Sequence, residues 1–252
     1  MKLDPEQLKL EHSPDKIRQR LSEAKRPDYL ADFVYGAIDG TVTTFAVVSG
    51  VAGADLSSSV LIILGFANLV GDGFSMAAGN YLATRTDAQL NHRRRQHEAA
   101  QIDAYPEGER EEIREIYRRK GFQGDDLERA VAIITADKSR WIDAMIMDEL
   151  GMQLETRSPL KAAAATMLAF FVVGSIPLFA FVTEAIFPGM ISRPYACSTI
   201  LTGIAFFLVG AVKSRFVEQR WLWSGLETLT LGGLAAVFAY TVGYALAFLI
   251  RN

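Results

Sequence analysis

The sequence predicts an all-α, polytopic membrane protein, with five transmembrane helices and a helical cytoplasmic insertion between helices 2 and 3. Three observations predict it. Half of the 252 residues are hydrophobic, yet the mean hydropathy of +0.16 averages two populations. Residues 1–28 and 85–160 are charged and helix-like, and the rest is apolar. Five apolar stretches, 29–53, 58–84, 162–186, 195–215 and 226–250, are long enough for a hydrocarbon core of about 30 Å, which takes roughly 20 helical residues. The basic residues are also segregated. Of 26 Lys and Arg, 24 fall in 1–28, 84–161 and 213–220, which five crossings put on one side of the bilayer. The positive-inside rule then places the N-terminus and the insertion in the cytosol and the C-terminus outside.

The chain divides into a cytoplasmic N-terminal segment (1–28), helices 1 and 2 (29–84), a cytoplasmic helical metal-binding domain (85–160) and helices 3 to 5 (161–252). In the first segment, Ser13-Pro14-Asp15 starts either a short amphipathic helix, with Ile17 and Leu21 on one face, or a frayed terminus. The segment lacks an apolar h-region, so no secretory signal is read there and helix 1 itself directs insertion. With the compact size, this suggests a bacterial cytoplasmic membrane, with a eukaryotic vacuole as the alternative.

Helix 1 carries Asp32 and Asp39, seven residues and two turns apart on nearly one face. A carboxylate within a span costs about 2.5–3.5 kcal/mol on insertion scales, and a chain that keeps one usually uses it. Asp32 lies near enough the headgroups for either a structural or a functional reading, whereas Asp39 is read as functional. Gly36 and Gly40 form a G-x-x-x-G pair, and Gly71, Ser75 and Gly79 a similar ladder in helix 2, both suited to close backbone approach in lipid. Asn68, Asp72, Met76 and Asn80 recur every four residues of helix 2. Helix–helix hydrogen bonding accounts for the two asparagines. Asp72 and Met76 read more as a cation route, the thioether favouring a transition metal.

The insertion reads as helices over 85–104, 107–120, 124–136 and 138–154, separated at Tyr105-Pro106 and at Gly121 and Gly124. It holds 16 of the 29 acidic residues. Glu107 and Glu109 suit a helix N-terminus. Met145 and Glu149 stand one turn apart, and Gly151 reads as a helix end. His92 and His97 lie in a basic setting that argues against a cation there. Further on, Pro177 predicts a kink in helix 3, and Trp221 and Trp223 mark the interface before helix 5.

Other chemistries find no support. The single cysteine, Cys197, offers no disulfide framework. There is no P-loop, G-x-S-x-G, H-E-x-x-H or dinucleotide fingerprint. The E-x-x-H pairs of a ferritin-like di-iron enzyme are also absent. No enzymatic activity, tightly bound cofactor or nucleic-acid partner is expected.

Four motifs now bear on a family: Asp32-Phe-Val-Tyr-Gly-Ala-Ile-Asp39-Gly, Ser75-Met76-Ala-Ala-Gly79-Asn80-Tyr81-Leu82, Pro106-Glu107 through Ile116-Tyr117, and Asp148-Glu149-Leu150-Gly151. In this order, and with five helices and an insertion after the second, the chain resembles the vacuolar iron transporter family, including its bacterial members. The resemblance implies a homodimeric divalent-metal/proton antiporter that removes Fe²⁺ from the cytosol, with metal ions and protons as its partners in the bilayer, and the first hypothesis for this chain is a proton-coupled exporter of Fe²⁺ or Mn²⁺. It implies a path lined by Asp32, Asp39 and Met76, and a cytoplasmic collecting site of Glu98, Glu109, Glu112, Met145 and Glu149. It also exposes departures. Asn68 stands where the family has a glutamate, with Asp72 one turn later as its replacement. Asn80 replaces the glutamate of G-E-Y-L, and Gln101 and Ile146 replace glutamates of the collecting site. These losses weaken the expected hold on a hard dication. A membrane-bound metal sensor or scaffold that moves nothing is the alternative.

Overall fold

The computed structural model describes residues 5–22, 28–154, 157–217 and 219–251. Parts of the expected N-terminal segment, and residues 155–156 of the expected insertion, lie outside these. The described residues contain helices and no strand. Two short helices, α1 (Pro5–Glu11) and α2 (Pro14–Ser22), come first. The second begins at the expected Ser13-Pro14, and the first was not foreseen.

α3 (Leu30–Gly53) spans about 36 Å at 1.5 Å per residue, enough to cross a bilayer. It ends in a tight turn where Asp55 takes a φ of 53°, a conformation that short polar residues tolerate. The Ser57 hydroxyl then accepts a hydrogen bond from the Val60 N–H and caps α4 (Ser58–Ala104). At 47 residues, about 70 Å, α4 is twice as long as a membrane requires, so its C-terminal part stands clear of the bilayer. There it packs with α5 (Pro106–Arg119), α6 (Gly124–Thr135) and α7 (Lys138–Ala144) around Ile102, Ile113, Leu127, Val131, Trp141 and Met145. Gly121 and Gly124, with φ of 101° and 53°, make the sharp corner between α5 and α6.

The expected last helix of the insertion differs. The α-helix stops at Ala144 and Met145–Glu149 form a π-helical turn, closed by the Leu150 N–H on the Met145 carbonyl. Gly151, at φ 63°, ends it as the sequence suggested. Such wide turns are frequent at functional sites.

α8 (Pro159–Gly174) and α9 (Ile176–Ile186) form one bent apolar pair, with 51° between their axes. Pro177 sits in the first turn of α9, where its missing N–H breaks the α-helical ladder. The buried Ser198 hydroxyl on α10 (Pro194–Val217) donates to the Pro177 carbonyl at 2.6 Å. α11 (Trp221–Arg251) starts earlier than expected, so Trp221 and Trp223 lie in its first turn rather than before it. Among the described residues four helices are long and apolar enough to cross a membrane, and the count is five where the bent pair is taken as one span. The chain is a multi-pass, all-α membrane protein. Leu231, Phe238 and Leu249 of α11 point outward, as lipid-facing side chains do.

α3 is the centre of the bundle, packed on α8, α11, α4 and α10. Its glycines set that packing. A Cβ on Gly36 would overlap the Thr166 carbonyl, and one on Gly40 would lie 2.7 Å from the Phe170 carbonyl oxygen. The α4 ladder behaves differently. Gly71, Ser75 and Gly79 are exposed, and a Cβ on either glycine meets nothing within 4 Å. Inside one chain this ladder mediates no close approach, because α4 turns the face to its outside.

Gly40→Ala is therefore expected to lower stability by about 1–3 kcal/mol, the usual cost of overpacking. Gly71→Ala should leave the protomer's stability unchanged. The midpoints of thermal unfolding in detergent compare the two, and equal midpoints would contradict the assignment of helix faces.

Candidate metal sites

α4 serves as an axial ruler for the candidate residues. Glu98 lies in its extramembrane part, Asn80 at the level of Asp32, and Met76 and Asp72 deeper in the span. From Glu98 to Asp72 is about 39 Å along the helix.

At the outer end, Glu98, Glu109, Glu112 and Glu149 come from α4, α5 and the π turn. Glu98 and Glu109 are buried, at 4% and 5% exposure, whereas Glu112 and Glu149 are exposed. One Glu109 oxygen, Oε2, is buried without a hydrogen-bond partner. Burial, then the charges of Glu112, Glu98 and Glu149, push the Glu109 carboxyl up to about 7. Burial, then Glu112 and Glu98, raise Glu149 as well. The four carboxylates thus share one electrostatic neighbourhood. Met145 lies fully buried in the apolar core of the insertion. Ile146 is also fully buried. His97, mostly exposed, brings Nδ1 to 3.8 Å from Glu98 Oε1.

Further along α4, a cleft of about 250 Å³ lies between Thr84, Asp87 and Asn91 and the returning strand of chain at Met152, Gln153 and Arg157. Asn91 donates to the Gln153 carbonyl at 2.6 Å, which ties the returning chain to α4.

Below it lies Asp32, buried and fully engaged. Its Oδ2 is ion-paired with Arg157, and its Oδ1 accepts from Asn80 Nδ2 at 2.9 Å. Asn80 also donates to Thr166 Oγ1 at 2.7 Å. The Arg157 guanidinium sits 5.2 Å over the Tyr29 ring, and the Tyr29 hydroxyl accepts from the Ser158 N–H at 2.9 Å. The start of α3, the middle of α4 and the entry to α8 meet in this one polar node. Arg157, Thr166 and Tyr29 were not singled out by the sequence. Arg157 is separated from Asp32 by 125 residues, and no spacing rule links them.

Deeper still, the carboxylates of Asp39 on α3 and Asp72 on α4 lie within electrostatic reach of each other. Among the described residues no Lys, Arg or His is ion-paired with either. Asn68 donates to Thr43 Oγ1 at 3.3 Å, and Thr43 donates to the Asp39 carbonyl at 2.9 Å. Asn68 and Asn80 thus make the helix-to-helix hydrogen bonds expected of them. Met76 is half-buried against the membrane core. Among the described residues no group of three or more His, Cys, Asp or Glu side chains is arranged to hold a metal ion. Each site is a pair or a loose cluster of acidic groups.

A bundle of membrane-spanning helices that keeps carboxylates unpaired by any described cation, with a carboxylate cluster in its extramembrane part, defines a polytopic membrane protein with the kind of acidic interior that suits cations. Residues 30–244 match the VIT family, and the chain belongs to that family. It is 30% identical to a vacuolar iron transporter of Toxoplasma gondii (strain ATCC 50861 / VEG), over 98% of this chain and 86% of that protein. It is 31% identical to vacuolar iron transporter 2 of Oryza sativa subsp. japonica, over 86% of this chain and 87% of that one. Vacuolar iron transporter 1 of Arabidopsis thaliana is 28% identical, over 84% of each chain.

Two outcomes are expected. The Glu109 carboxyl is raised in the folded protein, so the fold holds more protons than the unfolded chain as pH rises from 4.5 to about 7. Stability of the metal-free protein should fall across that window. Glu109→Gln should flatten the fall, as followed by thermal unfolding against pH. At the inner node, Arg157→Gln strands a buried carboxylate. The arginine is 39% exposed, which reduces the loss to about 1–3 kcal/mol. The Asp32→Asn/Arg157→Gln double variant should recover most of it. A strictly additive double-variant cycle would refute the coupling.

Proposed function

We propose that the chain transports a divalent transition metal, Fe²⁺ or Mn²⁺, out of the cytosol in exchange for protons, working as a homodimer. The observation that carries this reading is the pair Asp39 and Asp72: two carboxylates inside the membrane span, within electrostatic reach of each other and with no cationic partner among the described residues. Such a pair is costly in hydrocarbon unless a mobile cation neutralises it. One dication or two protons do so equally, which makes the exchange electroneutral at this site. The relatives' names, vacuolar iron transporter, support metal as the cargo and a transporter rather than an enzyme.

The rest of the path follows the α4 axis. Glu98, Glu109, Glu112 and Glu149 gather metal from solution as a loose carboxylate cluster. Asp32 accepts it once the Arg157 guanidinium is displaced. Met76, one turn from Asp72, adds a soft ligand beside hard ones. Two carboxylates and a thioether are too few for a hard dication, which takes about six oxygen ligands. Water or a second copy of the chain must complete the shell. The outward-facing Gly71, Ser75 and Gly79 ladder offers the surface on which two copies pack. The distribution of Lys and Arg supports a cytosolic insertion. With that orientation, metal leaves the cytosol whether the bilayer is a bacterial cytoplasmic membrane or that of a vacuole.

Metal flux into proteoliposomes carrying a metal-quenched dye tests the proposal, with Fe²⁺, Mn²⁺ and Zn²⁺ compared with and without a pH gradient. Gradient-dependent uptake that drops to background in Asp39→Asn, with the variant still folded, is the expected result. Undiminished uptake by that variant would refute the role of the pair. No uptake of any metal by the folded protein would favour a sensor or scaffold.

A further inference from the structure

We propose that the cleft between the adjoining ends of α10 and α11 binds the phosphate headgroup of an anionic membrane lipid. The cleft encloses about 940 Å³. One part of its lining is apolar, Leu208 and Val212 on α10, and the other is cationic, Arg215 and Arg220. No carboxylate among the described residues pairs with either arginine. The neighbouring cation, Lys213, is by contrast taken up by Glu227 at 3.2 Å. The cleft thus holds two guanidinium groups that no described carboxylate takes up, and guanidinium groups match phosphate in geometry and are weakly hydrated.

Its place in the fold fits a lipid. Arg251, at the far end of α11, donates to the carbonyls of Ala54 and Asp55 in the α3–α4 turn. The beginning of α11 therefore lies at the opposite end of the bundle, the end from which α4 emerges. Trp221 forms part of the rim, with its ring edge-on to Phe207 at 5.8 Å, and Trp223 is exposed two residues on. Tryptophans at this level sit among headgroups. Leu208 and Val212 are exposed about two turns and one turn deeper than Arg215 on α10, toward the acyl chains. An amphiphile meets both parts of this lining, whereas a soluble anion has no use for the apolar one. Basic clefts between transmembrane helices suit anionic headgroups, and two arginines should give roughly a thirtyfold preference over a zwitterionic lipid.

The test is native mass spectrometry of the full chain in detergent, with phosphatidylglycerol and phosphatidylcholine offered in equal amounts. Wild type should retain phosphatidylglycerol selectively. Arg215→Gln/Arg220→Gln should lose the preference while eluting unchanged from size exclusion. If the double variant does not fold, Arg215→Gln and Arg220→Gln alone should each cut the preference roughly fivefold. Lys213→Gln removes a paired cation from the same region and should leave the preference intact. The proposal is overturned if both lipids are retained equally, or if the arginine variants keep the preference. It is also overturned if Lys213→Gln loses the preference as fully as they do. Displacement of the lipid by millimolar inorganic phosphate would reassign the cleft to a soluble anion. Dissociation of copies in step with the arginine changes would reassign it to a contact between chains.

Discussion

The glycine face of α3 against α8 is the contact from which the rest of the arrangement follows. With no Cβ at Gly36 and Gly40, the two backbones touch at Thr166 and Phe170. The hydrophobic effect gives helices little reason to associate in lipid, so such contacts carry the packing. This one also fixes the rotation of α3. Asp32 and Asp39 then have no choice of neighbour: Asp32 meets Arg157, Asn80 and Thr166, and Asp39 comes within electrostatic reach of Asp72 on α4. On the other side of α3, Gly53 admits the Tyr240 carbonyl of α11, and Gly243 of α11 in turn admits the Gly50 carbonyl, just as closely. A helix held by backbone contacts on two sides cannot turn its carboxylates toward lipid.

Much of this was legible in the sequence because it rests on local rules. Hydropathy and length delimit the spans, Pro177 marks the bend, and the four-residue period of Asn68, Asp72, Met76 and Asn80 puts them on one face. What a period cannot say is which neighbour the face meets. The glycine spacing of α3 and the small-residue spacing of α4 read alike, yet one is buried against α8 and the other lies open. The same limit hid the Asp32 node, whose arginine arrives from a loop across the whole insertion. In the insertion, the one-turn spacing of Met145 and Glu149 suggested two ligands side by side. The π turn and the burial of Met145 separate their environments, one in the apolar core and one at the surface. Nothing in the spacing announces a π turn.

The departures from the family pattern acquire a physical meaning at the same node. A glutamate in place of Asn80 would face Asp32 as a second negative charge and compete for Arg157. Asn80 instead donates to Asp32 and to Thr166, so the node carries one carboxylate and one guanidinium and is neutral. Ile146 follows the same logic in the insertion. It is fully buried, where a carboxylate would carry a large desolvation cost. With Asn80 neutral and Asp32 paired, Asp39 and Asp72 are the carboxylate pair within the span that no described cation offsets. In the proposed transport cycle, exchange of a dication for two protons at that one pair then leaves the path's charge unchanged.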